Sequence, residues 1–165
     1  MPFEIAFESL WTHGETDEPV SLTFLSDENT HVHGKLRIVV RGCELPRLGF
    51  FGPDDVCFNA WVHELTTAAR VLVAADPAAH VFDEGEQGQP AYHFERAGSD
   101  VFVSVRASMI SDGTADPSWE RVPCKLEEFV VSVSRFVAAF SSALEALAGE
   151  ERAESWWKQF AEGSA

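Results

Sequence analysis

Apolar and polar residues alternate along the N-terminal part of the chain, and this pattern predicts β-strands. A period of two occurs in residues 3–8, 20–25 and 31–41. A polar segment rich in turn-forming residues, 13–19, connects the first two of these strands. Such alternation is typical of antiparallel strands with one buried and one solvated face.

Two longer segments follow the helical period instead. Apolar residues recur every three to four positions in residues 53–75 and again in residues 125–148. Pro53 followed by acids is typical of a first helical turn, and Pro77 ends the first helix because the residue before proline disfavours helical geometry. Residues 150–160 are predicted to form a short final helix.

Between the two helices, the pattern predicts a β-hairpin and two loops. Residues 92–96 and 101–109 alternate around the turn-forming residues 97–100. Turn-rich loops are predicted at 83–90 and 111–117, and residues 119–123 are predicted to form a short strand.

Together these elements predict an α+β fold: an antiparallel β-sheet with two main helices packed on one face, and a short C-terminal helix. The chain has 165 residues, of which 45% are hydrophobic, so it is long enough to bury one full core. We expect a single domain over residues 1–165, with 150–165 as a candidate helical appendage.

The charge of the chain restricts its partners. Asp and Glu number 27 against 12 Lys and Arg, for a formal net charge of −15. Nucleic acids and anionic membranes require cationic surfaces, so neither is an expected partner. A basic protein partner is favoured, although the charge could serve solubility alone.

Cysteine usage and the N-terminus indicate a cytoplasmic protein. The three cysteines have no close spacing, which is typical of free thiols in a reducing compartment. The N-terminus lacks the basic and apolar regions of a signal peptide, and the apolar stretch 129–140 is too short to span a bilayer.

Two histidines on the predicted third strand form a candidate metal site. His31 and His33 project to the same face of the strand, as pairs of zinc ligands do. Candidates for a third ligand are His13, His80, His93 or an acid. Cations on the same face raise the cost of binding a metal, so we expect solvent-facing histidines and no metal or other cofactor.

These cations, Lys35, Arg37 and Arg41, form a row that could bind an anionic ligand. The alternative is that Glu4 and Glu8 on a neighbouring strand pair with the row across the sheet. The sequence favours the ion pairs.

The acidic loops are the candidate partner-binding site, because loops often carry function. The residues assigned to this site are Asp83, Glu84, Glu86, Asp112, Asp116 and Trp119. Nucleophile-elbow, phosphate-loop and dinucleotide-binding motifs are absent from the sequence. We therefore predict no catalytic residues and no enzymatic activity.

The order of the elements points to a family. A strand at 33–42 precedes a helix centred on Trp61-Val-His-Glu-Leu65; Tyr92-His-Phe-Glu95, Pro117-Ser-Trp119 and a long apolar helix follow. In these features the chain resembles small bacterial immunity proteins of the WapI-like type, which protect their producer from a polymorphic toxin. The resemblance implies a binding protein without catalysis, and a toxin domain as its partner.

The leading hypothesis is therefore a non-catalytic intracellular protein that neutralises a cognate toxin through an acidic surface. A second hypothesis is a small-molecule- or metal-binding domain or enzyme that uses the sheet face of His31, His33, Arg37 and Arg41. A third is an oligomeric structural subunit, such as a homodimer joined through exposed Trp156 and Trp157.

Overall fold

In the computed structural model, which describes residues 2–49, 52 and 54–162, the chain folds into two antiparallel sheets and three helices. The predicted α+β class is confirmed. The expectation of one sheet is wrong. The strands that precede the first long helix form one sheet and those that follow it form another, because each half of the chain pairs locally.

The first sheet has the order β2-β1-β3-β4, with β5 also paired to β3. Its strands are β1 (Phe3–His13), β2 (Pro19–Val20), β3 (His33–Val40), β4 (Cys43–Glu44) and β5 (Val56–Cys57). The second sheet is a meander, β6-β7-β8-β9. Its strands are β6 (Ala78–Phe82), β7 (Ala91–Ala97), β8 (Asp100–Arg106) and β9 (Val122–Lys125). The helices are α1 (Phe58–Ala74), α2 (Leu126–Ala148) and α3 (Glu150–Glu162).

The strand predicted for residues 20–25 is wrong beyond Val20. Leu22–Phe24 form one turn of 3₁₀ helix, and the Ser21 hydroxyl accepts a hydrogen bond from the N–H of Thr23 at 3.3 Å. Leu22 and Leu25 are buried because a spacing of three places both on one side of such a turn. A strand has a period of two and a 3₁₀ turn a period of three. In so short a segment both place many of the same residues on the buried side, so the sequence pattern cannot distinguish them.

The first long helix begins later than the sequence predicted. α1 starts at Phe58, because the two residues before it pair as β5 with His33 and Gly34 of β3. Pro53, which suggested the earlier start, lies outside the described residues. The strand predicted at 119–123 is shifted as well: a 3₁₀ turn at Pro117–Trp119 precedes β9. β6 was not predicted, whereas the hairpin of β7 and β8 and the helices α2 and α3 were.

α2 is the central helix of the core. It packs against β1, α1 and α3 and also contacts β8 and β9 of the second sheet. Its buried side chains recur at helical spacing and are Phe129, Val133, Phe136, Phe140, Leu144 and Ala148. The main-chain oxygen of Phe3 in β1 accepts a hydrogen bond from the Ser132 hydroxyl, which ties the helix to the first sheet.

Among the described residues, α2 is also the single helix whose length and composition would allow it to cross a membrane. Its most apolar window has a mean hydropathy of 1.4. Core helices of soluble proteins pass the same test, and the buried side chains of α2 face the protein interior. The apolar segment is longer than the 129–140 stretch considered in the sequence.

A cluster of aromatic rings joins the helices to the first sheet. Phe58 of α1 and Phe140 of α2 stack with their ring centroids 5.3 Å apart and their planes 9° apart. Phe7 of β1 meets Phe140 edge-on at 5.8 Å, and Trp156 of α3 lies 5.4 Å from it. Four elements therefore meet around Phe140, which is fully buried.

The tryptophans of α3 are part of this core. Trp156 is 2% exposed, and its Nε1 donates a hydrogen bond to the main-chain oxygen of Thr30 at 2.8 Å. Trp157 is half-buried and packs against the same cluster. The exposed tryptophan pair that the homodimer hypothesis requires is therefore not observed, because α3 uses these rings to cover the end of α2.

We expect Phe140→Ala to lower the free energy of unfolding by about 3–5 kcal/mol, because it leaves a cavity where four elements pack together. The matched control is Leu147→Ala on the same helix, where the side chain is 49% exposed and the expected loss is within about 0.5 kcal/mol. Urea denaturation measures both values. Similar losses in the two variants would contradict the central position of Phe140.

Candidate functional site

The two predicted acidic loops form one surface. The carboxylate of Asp83 accepts hydrogen bonds from the Ser108 hydroxyl at 2.7 Å and from the N–H of Met109 at 2.8 Å. In the opposite direction, Asp112 accepts a bond from the N–H of Gly88 at 2.7 Å. We call residues 83–90 and 107–116 together the loop surface.

The two loops also approach each other closely at Gly113. A Cβ atom at this position would lie 1.7 Å from the main-chain oxygen of Gln89, so only glycine fits there. The Ser111 hydroxyl donates a hydrogen bond to the same oxygen at 3.0 Å. The Gln89 side chain is buried and donates a bond from Nε2 to the main-chain oxygen of Leu48 at 3.0 Å. The loop surface is thus fixed to the body of the protein.

Four of the six residues assigned to partner binding have structural roles. Asp83 and Asp112 hold the loops together, as described above. Asp116 caps the 3₁₀ turn at Pro117, and the Ser118 hydroxyl and N–H that it binds hold the pKa of this carboxyl below its usual value. Trp119 is 5% exposed and belongs to the core, so its side chain is not available to a partner.

Glu86 is exposed and Glu84 is half-buried, and two apolar side chains lie on the facing loop. Met109 is 89% exposed and Ile110 is 69% exposed. Ile110 lies against the acidic loop, since a Cβ atom at Gly85 would be 2.7 Å from its Cδ1. Sequence reasoning missed both residues. Met109 was assigned to the second hairpin strand, which instead ends at Arg106, and Ile110 alone carries no periodic signal.

A cavity of about 310 Å³ opens beside Glu84 and Glu86. Its lining residues are His13, His33, Asp55, Cys57, Glu84, Glu86 and Gln89. The cavity therefore brings the histidine strand and the acidic loop together, although the sequence treated them as separate candidate sites.

A β-bulge in β1 places Trp11 and His13 on the same face of the sheet as His33, which lines this cavity. The register between β1 and β3 shifts between Glu8, which is opposite Lys35, and Trp11, which is opposite His33. Because a one-residue shift reverses which side chains face the core, Trp11 lies on the outer face beside His33, with ring centroids 4.8 Å apart. His13 follows on the same face, 4.5 Å from His33.

Histidine and cysteine side chains converge at the edge of the cavity. The ligand atoms of His31, His33 and Cys57 all lie within 4.8 Å of one another, and the Cys57 sulfur is 3.9 Å from Nδ1 of His31. Nδ1 of His33 is 2.8 Å from the Asp55 carboxylate. Burial lowers the pKa of His33 and raises the pKa of the Cys57 thiol.

The predicted third ligands are located elsewhere, apart from His13. Nε2 of His80 lies 2.6 Å from the carboxylate of Glu64, and His93 is on β7 in the second sheet. Cys57 was missed as a ligand candidate because β5 carries no sequence signal that would pair it with β3. Its position opposite His33 is known only from the fold.

The cationic row is largely neutralised by ion pairs, as the sequence favoured. Lys35 lies 3.4 Å from Glu8 on the neighbouring strand. Arg37 pairs with Glu44 of β4 at 3.0 Å rather than with an acid of β1. Glu4 is opposite Val39 in the register. Arg41 is exposed just after β3, in the turn to β4.

Glu84 has the most perturbed carboxyl at this site. Burial is the largest cause, and the neighbouring charges of Glu86 and Glu64 add to it; together they raise the pKa of Glu84 to about 7. Like charges have thus been brought together at a partly desolvated position. The arrangement favours a cation or a basic group beside Glu84.

We expect Glu84→Gln to stabilise the protein more at pH 8 than at pH 5. Because the pKa of Glu84 is raised on folding to about 7, the folded state binds the extra proton, and stability falls as the pH rises through about 7. The difference should be about 1–2 kcal/mol, reduced from the full shift because the side chain is partly solvated. Urea denaturation at both pH values, with Glu145→Gln on α2 as control, measures it. Equal effects at the two pH values would contradict the raised pKa.

We expect Gly113→Ala to separate the two halves of the loop surface, because the added Cβ atom overlaps the Gln89 oxygen. Overpacking of this kind costs about 1–3 kcal/mol. Limited proteolysis should show faster cleavage within residues 83–90. Gly88→Ala is the control, since a Cβ atom there meets nothing within 4 Å, although its positive φ adds some strain. Unchanged cleavage in Gly113→Ala would contradict the close approach.

Comparisons of the chain with protein-family models, with curated proteins and with solved structures find no match.

Proposed function

We propose that this chain is a non-catalytic binding protein of the cytoplasm that neutralises a cognate bacterial toxin domain, and that the loop surface contacts this partner. The observation that carries the proposal is the exposure of Met109 and Ile110 on a loop that packs at Gly85, between the crowded Glu84 and Glu86. Exposed apolar side chains surrounded by charge are typical of protein interfaces.

The electrostatics of Glu84 favour a basic partner. A Lys or Arg of the partner would offset the repulsion among Glu84, Glu86 and Glu64 that raises the pKa of Glu84. The net charge of −15 would steer a basic domain toward the protein and increase the association rate more than the affinity.

The rigidity of the loop surface supports the same function. The carboxylates of Asp83 and Asp112 accept hydrogen bonds across the two loops, and the Ser111 hydroxyl donates one, so the loops are held together without a partner. A surface that is already ordered loses less conformational entropy on binding. Tight inhibition by occlusion of a toxin's active surface requires such a surface.

The first test is protection of growth. The genes beside this one are searched for a toxin domain, which is then expressed in a bacterial host, and co-expression of the full chain should restore growth. Met109→Asp with Ile110→Asp should abolish the protection, because charges replace the apolar contacts. Val73→Asp with Val81→Asp is the matched control, since these valines are 56% and 48% exposed outside the loop surface. Neighbouring genes without a toxin, or equal protection by both double variants, would refute the proposal.

The second test measures the association rate with the purified toxin domain. Glu84→Gln with Glu86→Gln should lower the association rate constant about tenfold at low salt and pH 8, and less at high salt. Glu145→Gln with Glu150→Gln removes the same charge from the ends of α2 and α3 and should change the rate less. Equal rate changes in stopped-flow measurements would indicate that charge serves solubility rather than steering.

A further inference from the structure

We propose that His31, His33 and Cys57 form a zinc-binding site at the edge of the cavity, with an open coordination position for water. The site adjoins the proposed toxin contact, because Glu84 and Glu86 line the same cavity, but its three ligands lie outside the loop surface and neither proposal depends on the other. Two imidazoles and one thiol provide the nitrogen and sulfur donors that Zn²⁺ prefers, and three protein ligands leave a fourth tetrahedral position for solvent.

The distances fit this ion after a small contraction. Neighbouring ligand atoms around a tetrahedral zinc lie about 3.3–3.8 Å apart, as its bond lengths of about 2.0–2.3 Å require. The sulfur of Cys57 is 3.9 Å from Nδ1 of His31, and all three ligand atoms are within 4.8 Å of one another. The ion would therefore draw the three ligand atoms together by about 1.5 Å or less.

The backbone around the three ligands is held in place from both sides. His33 and Cys57 are directly opposite in the pairing of β3 with β5. At the start of α1, the N–H of Phe58 donates a hydrogen bond to the main-chain oxygen of Val32 at 2.8 Å. The Asn59 side chain accepts a bond from the N–H of Val32 at 2.9 Å. Because the ligands lie on paired strands and beside the start of a helix, their backbone positions are set before a metal binds.

The side chain of Thr12 on β1 holds the backbone of His31, which lies just before β3. The Thr12 hydroxyl donates a hydrogen bond to the main-chain oxygen of His31 at 2.7 Å, and Thr12 is fully buried. The position of His31 is therefore set by β1, although its own side chain is exposed. An exposed imidazole near a partly buried thiol is accessible to an entering ion.

The charges around the site favour a cation. The sequence suggested that Lys35 would oppose a metal, but this side chain lies 3.4 Å from Glu8. Asp55, Glu84 and Glu86 line the adjoining cavity. Asp55 also lies 2.8 Å from Nδ1 of His33, and a carboxylate at this distance fixes the orientation of a ligating ring.

The test uses the full chain, purified and stripped of metal, and titrated with Zn²⁺ against a competing chelator. We expect one zinc per chain. Cys57→Ser and His31→Gln should each weaken the affinity at least about tenfold. His31→Gln changes an exposed side chain and so preserves the fold if Cys57→Ser does not. The matched controls, Cys43→Ser and His63→Gln, should leave the affinity unchanged.

Cobalt provides a second readout that depends on the thiolate itself. Co²⁺ in place of zinc should give a sulfur-to-metal charge-transfer band and the intense visible absorption of tetrahedral cobalt. Both signals should disappear in Cys57→Ser and persist in Cys43→Ser. Absence of the band, or zinc affinity that is equal in Cys57→Ser and the unmodified chain, would overturn the proposed site. Either outcome would leave the proposed toxin contact unaffected.

Discussion

The stacking of Phe58 on Phe140 is the interaction on which the site depends. Phe58 is the first residue of α1 and directly follows Cys57. Its ring packs against Phe140 of α2 and Phe7 of β1. This packing holds the preceding residue, Cys57, beside β3. The core thus determines where the thiol lies relative to the histidines. Burial of an aromatic ring is strong enough to impose this order, whereas one two-residue strand is not.

A second set of contacts ties the loop surface to the same core. The Nε1 of Trp61 donates a hydrogen bond to the main-chain oxygen of Leu48 at 3.1 Å, and the Gln89 side chain binds the same oxygen. The Tyr92 hydroxyl donates to the main-chain oxygen of Arg47 at 2.5 Å. Residues 47–48 therefore bridge α1, β7 and the acidic loop. The loop surface is anchored to the core through these two residues.

Local patterns were sufficient for most of the fold but not for the site. The strand β3 and the helix α2 could be predicted, because their periods persist over many residues. β5 is two residues long and gains stability only from pairing with β3, so no local pattern could reveal it. The acids of the loops look alike in the sequence. Whether an acid binds a nearby N–H, as Asp83 does, or stays exposed, as Glu86 does, depends on contacts between distant segments.

The way in which the two loops are joined has a consequence for how the protein can evolve. The contacts that set the loop backbone come from Asp83, Asp112 and Gly113, none of which needs to touch a partner. The side chains of Glu84, Glu86, Met109 and Ile110 make none of these contacts, so substitutions there leave the contacts in place. Substitutions can therefore accumulate at these positions while the loop backbone stays the same, which would suit the toxin recognition proposed above.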